Sequence, residues 1–367
     1  MTLKPYFKDN NIAIAMSSSD EYLPYLTVCL QSLVANTSAE NKYDIVIFTE
    51  SENQEKMQEI INFISKDNIL LRFFNPANYF ENVELQVTHS YFHKACYFRI
   101  AAPVILKEFS RVIFTDIDLI FQEDIAKLYL IDLQNAPLSA CIEPIWEMFI
   151  ETDYYYQNYS IRDYSKNILK IEDTKKYFNT GVVIFDTNLF IENKYFEKLL
   201  DVIKNTHLIF QEQDALNYLL TDKILPLDAS WNSATSLQFD ELKHMKQNII
   251  HYLGHMKPWQ DFEQKQAYMW WQYARKTPFY EVILSNNLKD ITAKSLETQK
   301  IQLTNLLFDV YNYKKNVLKY WRYKFIKTFS FGKRRKWYKE KMIAIKIKIK
   351  NAKNFQMKED KENETSI

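Results

Sequence analysis

The sequence predicts an α/β fold, a mostly parallel sheet flanked by helices over residues 1–284, followed by a helical, basic and aromatic extension over residues 285–367. Three observations carry this. Short β-rich apolar runs alternate with helical patterns through the first part of the chain, as parallel sheets covered by helices require. That alternation stops beyond about Ser285. Charge divides in the same way: residues 314–367 hold 18 Lys and Arg against 5 Asp and Glu, whereas residues 1–313 hold 29 against 41.

Taken in order, Asn11–Met16 reads as a strand, Pro24–Ala35 as a helix, Tyr43–Thr49 as a strand, Asn53–Ser65 as a helix and Ile69–Asn75 as a strand. This βαβαβ order places a ligand beyond the carboxyl ends of the strands. A helical stretch follows from Tyr91 to Leu106, then the run Arg111-Val112-Ile113-Phe114-Thr115, which ends in Asp116-Ile117-Asp118. The acidic pair therefore falls at a strand's carboxyl end. Later come a strand at Leu138–Ile142, a polar aromatic segment from Tyr154 to Lys176, and a buried-type strand Gly181–Phe185 introduced by Asn179-Thr180. Helices are expected at Leu189–Lys204 and around Asp214–Leu220, and no repeat of fixed period is present.

Composition excludes several classes. With 47% hydrophobic and 16% aromatic residues, the 367-residue chain is globular. Its three cysteines, Cys29, Cys96 and Cys141, have no CxxC spacing, which suits a reducing, cytoplasmic compartment. Met1-Thr2-Leu3-Lys4-Pro5 does not open a secretory signal, and no run reaches the ~18 to 20 apolar residues of a membrane span, so a soluble or peripheral protein is expected. An acidic body argues against nucleic-acid binding. The three glycines, Gly181, Gly254 and Gly332, lie too far apart to write a dinucleotide fingerprint or a phosphate loop. In so glycine-poor a chain, each is expected to mark a positive φ angle or a ligand's close approach to backbone.

In an extended segment, side chains two residues apart share a side, so Asp116 and Asp118 can reach one cation while Ile117 packs behind them. Carboxylate oxygens suit magnesium or manganese, and one imidazole ligand tilts the choice toward manganese. His251 is the candidate imidazole, and Lys257, in the loop after it, can meet a phosphate as a point charge. Acidic pairs after strands are often only solvated loops, so the combination carries the reading.

These motifs together resemble the retaining glycosyltransferases of family 8, which include bacterial lipopolysaccharide galactosyl- and glucosyltransferases and the glycogenins. The resemblance runs over roughly residues 10–262. Ile12 to Tyr25 resembles the first strand and uridine loop, implying donor contacts from Ser19, Asp20 and Tyr22. Tyr97-Phe98-Arg99 is similar to the helix that carries a donor-contacting arginine. Val112 to Ile120 resembles the metal-binding strand, which assigns Asp116, Ile117 and Asp118 to donor and metal. Tyr177-Phe178-Asn179-Thr180-Gly181-Val182 is similar to the element facing the donor sugar, with Asn179 as its donor-binding residue. Gln211-Glu212-Gln213-Asp214-Ala215-Leu216-Asn217 resembles the helix start near the transferred sugar. His251-Tyr252-Leu253-Gly254-His255-Met256-Lys257-Pro258-Trp259 resembles the loop that supplies a metal ligand, the donor-binding Gly254 and the phosphate-binding lysine.

The resemblance implies the nucleotide-sugar-binding GT-A fold and transfer of a hexose from UDP-galactose or UDP-glucose to a saccharide acceptor such as lipopolysaccharide, with Mn2+ or Mg2+ and with anomeric retention. Gln213 and Asp214 are then the candidates for a side chain at the reacting centre. The sequence departs from close relatives at Ser19, where they carry an acid that helps recognise uracil, and at Glu212, where they often carry Asp. Glu143 falls at the equivalent of an acceptor-side carboxylate, with Glu212 beside it; a merely exposed strand-end acid is the equal alternative for Glu143. Two other classes remain open: a non-catalytic sugar- or lipid-binding relative, and a haloacid-dehalogenase-type phosphatase, whose DxD normally follows the first strand.

Residues 314–350 hold fifteen Lys and Arg, one acid, and aromatics including Tyr320, Trp321, Tyr323, Phe325, Phe329, Phe331, Trp337 and Tyr338. Cations draw anionic headgroups while tryptophan and tyrosine suit the interface, so this segment reads as an element for the inner face of the cytoplasmic membrane, with nucleic-acid binding or an unstructured basic tail as the alternatives. Ala344 to Lys350 alternates strictly and is expected as an amphipathic strand or an irregular end.

Overall fold

The computed structural model describes residues 2–85, 94–156, 159–235, 246–254, 257–261, 264–289 and 313–364. Residues 91–93, the 255–256 pair of the loop after His251, and the polar stretch 290–312 lie outside the described residues. The chain divides into two compact units, Met1–Asn287 and Leu288–Ile367.

The first unit contains strands β1 (Asn11–Ser17), β2 (Lys42–Phe48), β3 (Ile69–Phe74), β4 (Arg111–Thr115), β5 (Leu119–Phe121) and β6 (Leu138–Ile142). There follow the two-residue pair β7 (Tyr155–Tyr156) and β8 (Tyr159–Ser160), then β9 (Phe178–Asp186), β10 (Leu225–Pro226), β11 (Ser233–Ala234) and β12 (Ile249–His251). The main sheet has the order β10-β6-β9-β4-β1-β2-β3. Its β3-β2-β1-β4 half is parallel, as the alternation implies. β9 breaks the rule, running antiparallel to both β4 and β6. Sequence alternation does not report this reversal, because a strand buried on both faces is uniformly apolar in either direction. A smaller sheet, β11-β12-β5, packs at the same end.

Local chemistry explains the elements. The helix Leu23–Ala35 starts with proline in its first turn and buries Leu23, Leu26, Leu30 and Leu33. The helix Gln54–Ile64 is capped by the Asn53 side chain accepting from Lys56 N, and it buries Met57, Ile60 and Ile64 while Gln58 and Glu59 face water. The segment expected as one helix to Leu106 is a 3₁₀ turn at Lys94–Ala101 followed by a short α-helix, Ala102–Ile105. Pro103 at its start and the tight turn before it set the boundary.

The second unit contains the helices Tyr313–Thr328 and Gly332–Glu364. Rings meet between them, Tyr323 lying 5.5 Å from Tyr338 and 6.0 Å from Trp337. Gly332 takes the left-handed conformation, φ +57°, at the break. Residues 344–350 are helical, which corrects the strand or irregular expectation. Gly332–Glu364 contains no internal proline or glycine to interrupt helical hydrogen bonding. Among the described residues, no helix is long and apolar enough to cross a membrane.

Candidate active site

The carboxyl edge of the main sheet assembles the site. β4 ends at Thr115, and because β9 runs the other way, its Asn179-Thr180-Gly181 segment lies beside the turn that follows. Asp116 N–H donates to Gly181 O at 2.8 Å. On the other side β12 pairs with β5, setting His251 opposite Leu119, and Tyr252 N–H donates to Asp118 O at 3.0 Å. The acidic turn is thus gripped by two strands remote in sequence.

That grip brings Asp116, Asp118 and His251 together, one ligand atom of each lying within 4.8 Å of the others. His251 Nε2 is 3.4 Å from Asp118 Oδ1 and 3.9 Å from Asp116 Oδ2. Two hard oxygen donors and one imidazole nitrogen fit a manganese- or magnesium-type divalent ion. Burial alone would raise the Asp118 carboxyl, but the Lys257 ammonium and His251 hold it well below the usual carboxylate range. Lys257 Nζ pairs with Asp118 Oδ2 and donates to Tyr252 O at 3.0 Å. Ile117 packs against the core behind the pair.

Arg99 is buried, and its guanidinium spans three acceptors: Asp116 Oδ1, Thr180 Oγ1 and, at 2.6 Å, Glu212 Oε1. Burial pushes the Glu212 carboxyl up to about 7, against the opposing pull of Arg99. Glu212 opens the helix Gln211–Leu220, whose first residue, Gln211, takes φ +50°, a left-handed conformation that non-glycine residues hold only where the surroundings enforce it.

Gln213 is half-buried beside Thr180. Its Oε1 accepts from Thr180 N–H at 3.0 Å and its Nε2 donates to Tyr177 OH at 3.2 Å. Asp214 is fully buried. Its carboxylate accepts from Tyr164 OH at 2.6 Å, Tyr177 OH at 2.7 Å and Phe210 N–H at 2.7 Å, so every oxygen is engaged by the protein.

Glu143 is buried, which overturns the exposed-acid alternative. It caps the helix Pro144–Glu151 by accepting from Ile145 N–H at 3.2 Å and receives Asn179 Nδ2 at 2.6 Å. Burial pushes its carboxyl up.

In the first loop, Ser19 precedes the 3₁₀ turn Asp20–Tyr22. The Asp20 carboxylate is occupied by Ser51 Oγ at 2.6 Å and Lys56 Nζ at 3.1 Å. Tyr22 and Tyr25 pack on Trp259, with Tyr25 stacked at 4.6 Å, which ties this loop to the one carrying Lys257.

Two glycines have different reasons. Gly254 has φ +95° and an open surrounding, the conformational case expected. Gly181 is not in the left-handed region, and no ligand is needed to explain it. A Cβ there would overlap His251 Cε1 and stand 2.8 Å from Nδ1, so glycine makes room for the protein's own imidazole. Sequence reading missed Asn232, whose Oδ1 lies 2.7 Å from His251 Nδ1, and the two tyrosines that hold Asp214. Asn232 sits in no recognisable motif, and only the pairing of β11 with β12 brings it to His251.

The family model described as glycosyl transferase family 8 matches residues 13–263. The chain is 27% identical over 281 residues to General stress protein A of Bacillus subtilis (strain 168), covering 69% of this chain and 88% of that protein. It is 22% identical over 295 residues to the lipopolysaccharide 1,2-glucosyltransferase of Escherichia coli (strain K12), covering 76% and 78%. The apo structure of the bifunctional glycosyltransferase WbbM matches with a TM-score of 0.71 at 22% identity, over 78% of this chain and 53% of that one. The chain thus spans about half of that bifunctional protein, and the shared feature is the GT-A fold.

Proposed function

The chain belongs to glycosyl transferase family 8, and we propose that it moves a hexose from UDP-glucose or UDP-galactose to a saccharide acceptor of the cell surface, lipopolysaccharide or a similar glycan, with retention at the anomeric carbon. Family membership removes the phosphatase reading, in keeping with an acidic pair that follows the fourth strand instead of the first. The observation that carries the proposal is the convergence of Asp116, Asp118 and His251 at the sheet's carboxyl edge, with Lys257 and Arg99 against the two acids. The lipopolysaccharide glucosyltransferase among the relatives supports the acceptor class.

Asp116, Asp118 and His251 would hold Mn2+ or Mg2+, which when bound supplies positive charge against the leaving diphosphate. Lys257 adds a second cation beside it, which would exchange Asp118 for phosphate when the donor binds. Arg99 acts mainly through others: buried and triply engaged, it fixes Asp116 toward the metal and Glu212 toward the sugar. In this reading Gln213, half-buried beside Thr180, is the side chain that faces the reacting sugar, while Asp214, through Tyr177, sets its carboxamide. Retention then proceeds by internal return or by a short-lived adduct. Ser19, Asp20 and Tyr22 flank the base and Gly254 lines the donor, while Asn179, buried with both ends of its carboxamide engaged by the protein, does not meet the donor directly as the sequence suggested.

The C-terminal helices present Trp321, Phe325, Phe329 and Phe331 to solvent among lysines and arginines, which supports docking on an anionic membrane surface at its cytoplasmic face. The test of the catalytic reading is manganese-stimulated hydrolysis of UDP-glucose or UDP-galactose, lost in Asp118→Ala. Full turnover in that variant, or with metal chelated, refutes it.

A further inference from the structure

We propose that Asn232 and Asn179 form a one-way hydrogen-bond relay from His251 to the buried carboxyl of Glu143, and that this relay holds His251 in the tautomer that presents Nε2 to the cation. The inference rests on the metal-binding reading above.

The direction of the relay follows from one backbone donor. Gly181 N–H can only donate, so the Asn179 atom that it meets at 2.7 Å is the carbonyl Oδ1. The same oxygen receives a second hydrogen from Asn232 at 2.7 Å, which makes that Asn232 atom Nδ2. The other end of the carboxamide, Asn232 Oδ1, therefore faces His251 Nδ1 at 2.7 Å, and a carbonyl oxygen only accepts. Nδ1 must carry the proton. In the neutral imidazole Nε2 is then left with its lone pair, and it is the ring atom nearest Asp118 and Asp116, at 3.4 Å and 3.9 Å.

Beyond Asn179 the sense is unchanged. Asn179 Nδ2 donates to Glu143 Oε2 at 2.6 Å, and Ile145 N–H donates to Oε1 at 3.2 Å. Every link donates toward Glu143. All four side chains belong to buried residues, exposed by 2% at His251, 7% at Asn232, 4% at Asn179 and 7% at Glu143. Hydrogen bonds in so dry a setting polarise one another, so electron density displaced along the relay strengthens Nε2 as a donor. The four residues come from β12, the 3₁₀ turn Ala229–Asn232, β9 and the residue after β6, so the relay also anchors the imidazole to the main sheet. Metal-bound histidines characteristically give the second ring N–H to a carboxylate or carbonyl, and losing that partner costs about 10- to 100-fold in metal affinity. Asn232 is thus a positioning residue, and Glu143 supports the metal site from behind.

The experiment has two readouts on the full-length protein. Long-range ¹H–¹⁵N spectra of the metal-free, ¹⁵N-histidine-labelled protein, with His251 assigned from His251→Gln, report the tautomer. Loss of the free Mn2+ electron-paramagnetic-resonance signal reports binding without any donor sugar. Where its imidazole is neutral, the wild type is expected in the Nδ1–H form. Asn232→Leu loses that defined form and weakens Mn2+ binding about 10- to 100-fold. Asn232→Asp, which keeps an acceptor toward Nδ1, recovers most of the affinity. Glu143→Met, which leaves Asn179 Nδ2 without its acceptor, gives a smaller loss in the same direction and decides the matter if Asn232→Leu does not fold. A neutral Nε2–H form in the wild type overturns the relay, as does a folded Asn232→Leu that binds Mn2+ like the wild type, or, where that variant does not fold, a Glu143→Met protein with unchanged affinity. A wild type that leaves the free Mn2+ signal untouched refutes the metal reading itself, while the tautomer still tests the relay.

Discussion

The backbone of Gly181 lies so close to the imidazole of His251 that no side chain fits between them. The smallest residue in β9 therefore sets the position of the candidate metal ligand on β12, and Asn179 Oδ1 stands 2.9 Å from the same hypothetical Cβ.

Gly181→Ala is expected to push His251 out of the ligand set. Overpacking of this kind costs about 1–3 kcal/mol in stability, and Mn2+ affinity should fall by more than that mild destabilisation explains. Urea unfolding and Mn2+ titration of the same protein check the pair of effects.

Arg99 and Glu212 are both buried, so removing the cation leaves an uncompensated carboxyl beside Asp116. Arg99→Met should destabilise the protein by about 3–5 kcal/mol. Arg99→Lys should not restore it, because an ammonium cannot span Asp116, Thr180 and Glu212 together. Chemical denaturation of the two variants provides the comparison.

Glu212 makes stability pH-dependent. Its folded carboxyl, pushed up to about 7 from 4.5 by burial, binds a proton more tightly than the unfolded chain does. Its contribution is therefore fully present below pH 4.5 and is lost as pH rises toward 7, on the order of 1–3 kcal/mol over that window. Glu212→Gln should flatten this part of the unfolding free-energy profile; an unchanged slope would contradict the assignment.

Tyr177 and Tyr164 both serve Asp214, but only Tyr177 also touches Gln213. Tyr177→Phe should lower kcat about 10-fold or more with little change in donor KM, since it frees the Gln213 carboxamide. Tyr164→Phe should act mainly on stability, by about 1–3 kcal/mol, through an under-satisfied Asp214. Steady-state kinetics and thermal unfolding separate the two.

For the C-terminal helices, serine at Trp321, Phe325 and Phe331 in the full chain should reduce flotation with anionic liposomes while leaving donor hydrolysis intact. Added salt should weaken the wild type's binding, as screening of lysine and arginine requires. Equal flotation of variant and wild type would remove the membrane role.

Strands β1 to β4 and the helices Leu23–Ala35 and Gln54–Ile64 were legible because each buries an apolar face that local patterning must supply: Met57, Ile60 and Ile64 on one helix, the run from Arg111 to Thr115 on one strand. The helix expected over Leu189–Lys204 is two, Thr187–Glu192 and Tyr195–Asn205, broken at Lys194, which takes a left-handed φ of +53°. The residues of the site were legible as types in an order, with Asp116, Asp118, His251 and Lys257 standing in motifs. Gln213 and Asp214 read alike in sequence, adjacent polar residues at a helix start. Only packing separates them, because the helix turns one toward Thr180 and the other into a pair of tyrosines.

What the sequence by itself determined was the α/β alternation, the acidic pair at a strand's end and the division between an acidic body and a basic tail. Tertiary structure alone decided that β9 runs backward, that Gly181 yields its space to His251, that Glu143 is buried behind the candidate metal site, and that Asn232 meets the imidazole's Nδ1. The physical reason is range. Periodicity and propensity act over a few residues, whereas the hydrogen bonds that orient a buried imidazole join residues 143, 179, 232 and 251, and the pairing that brings them together exists only in the folded sheets.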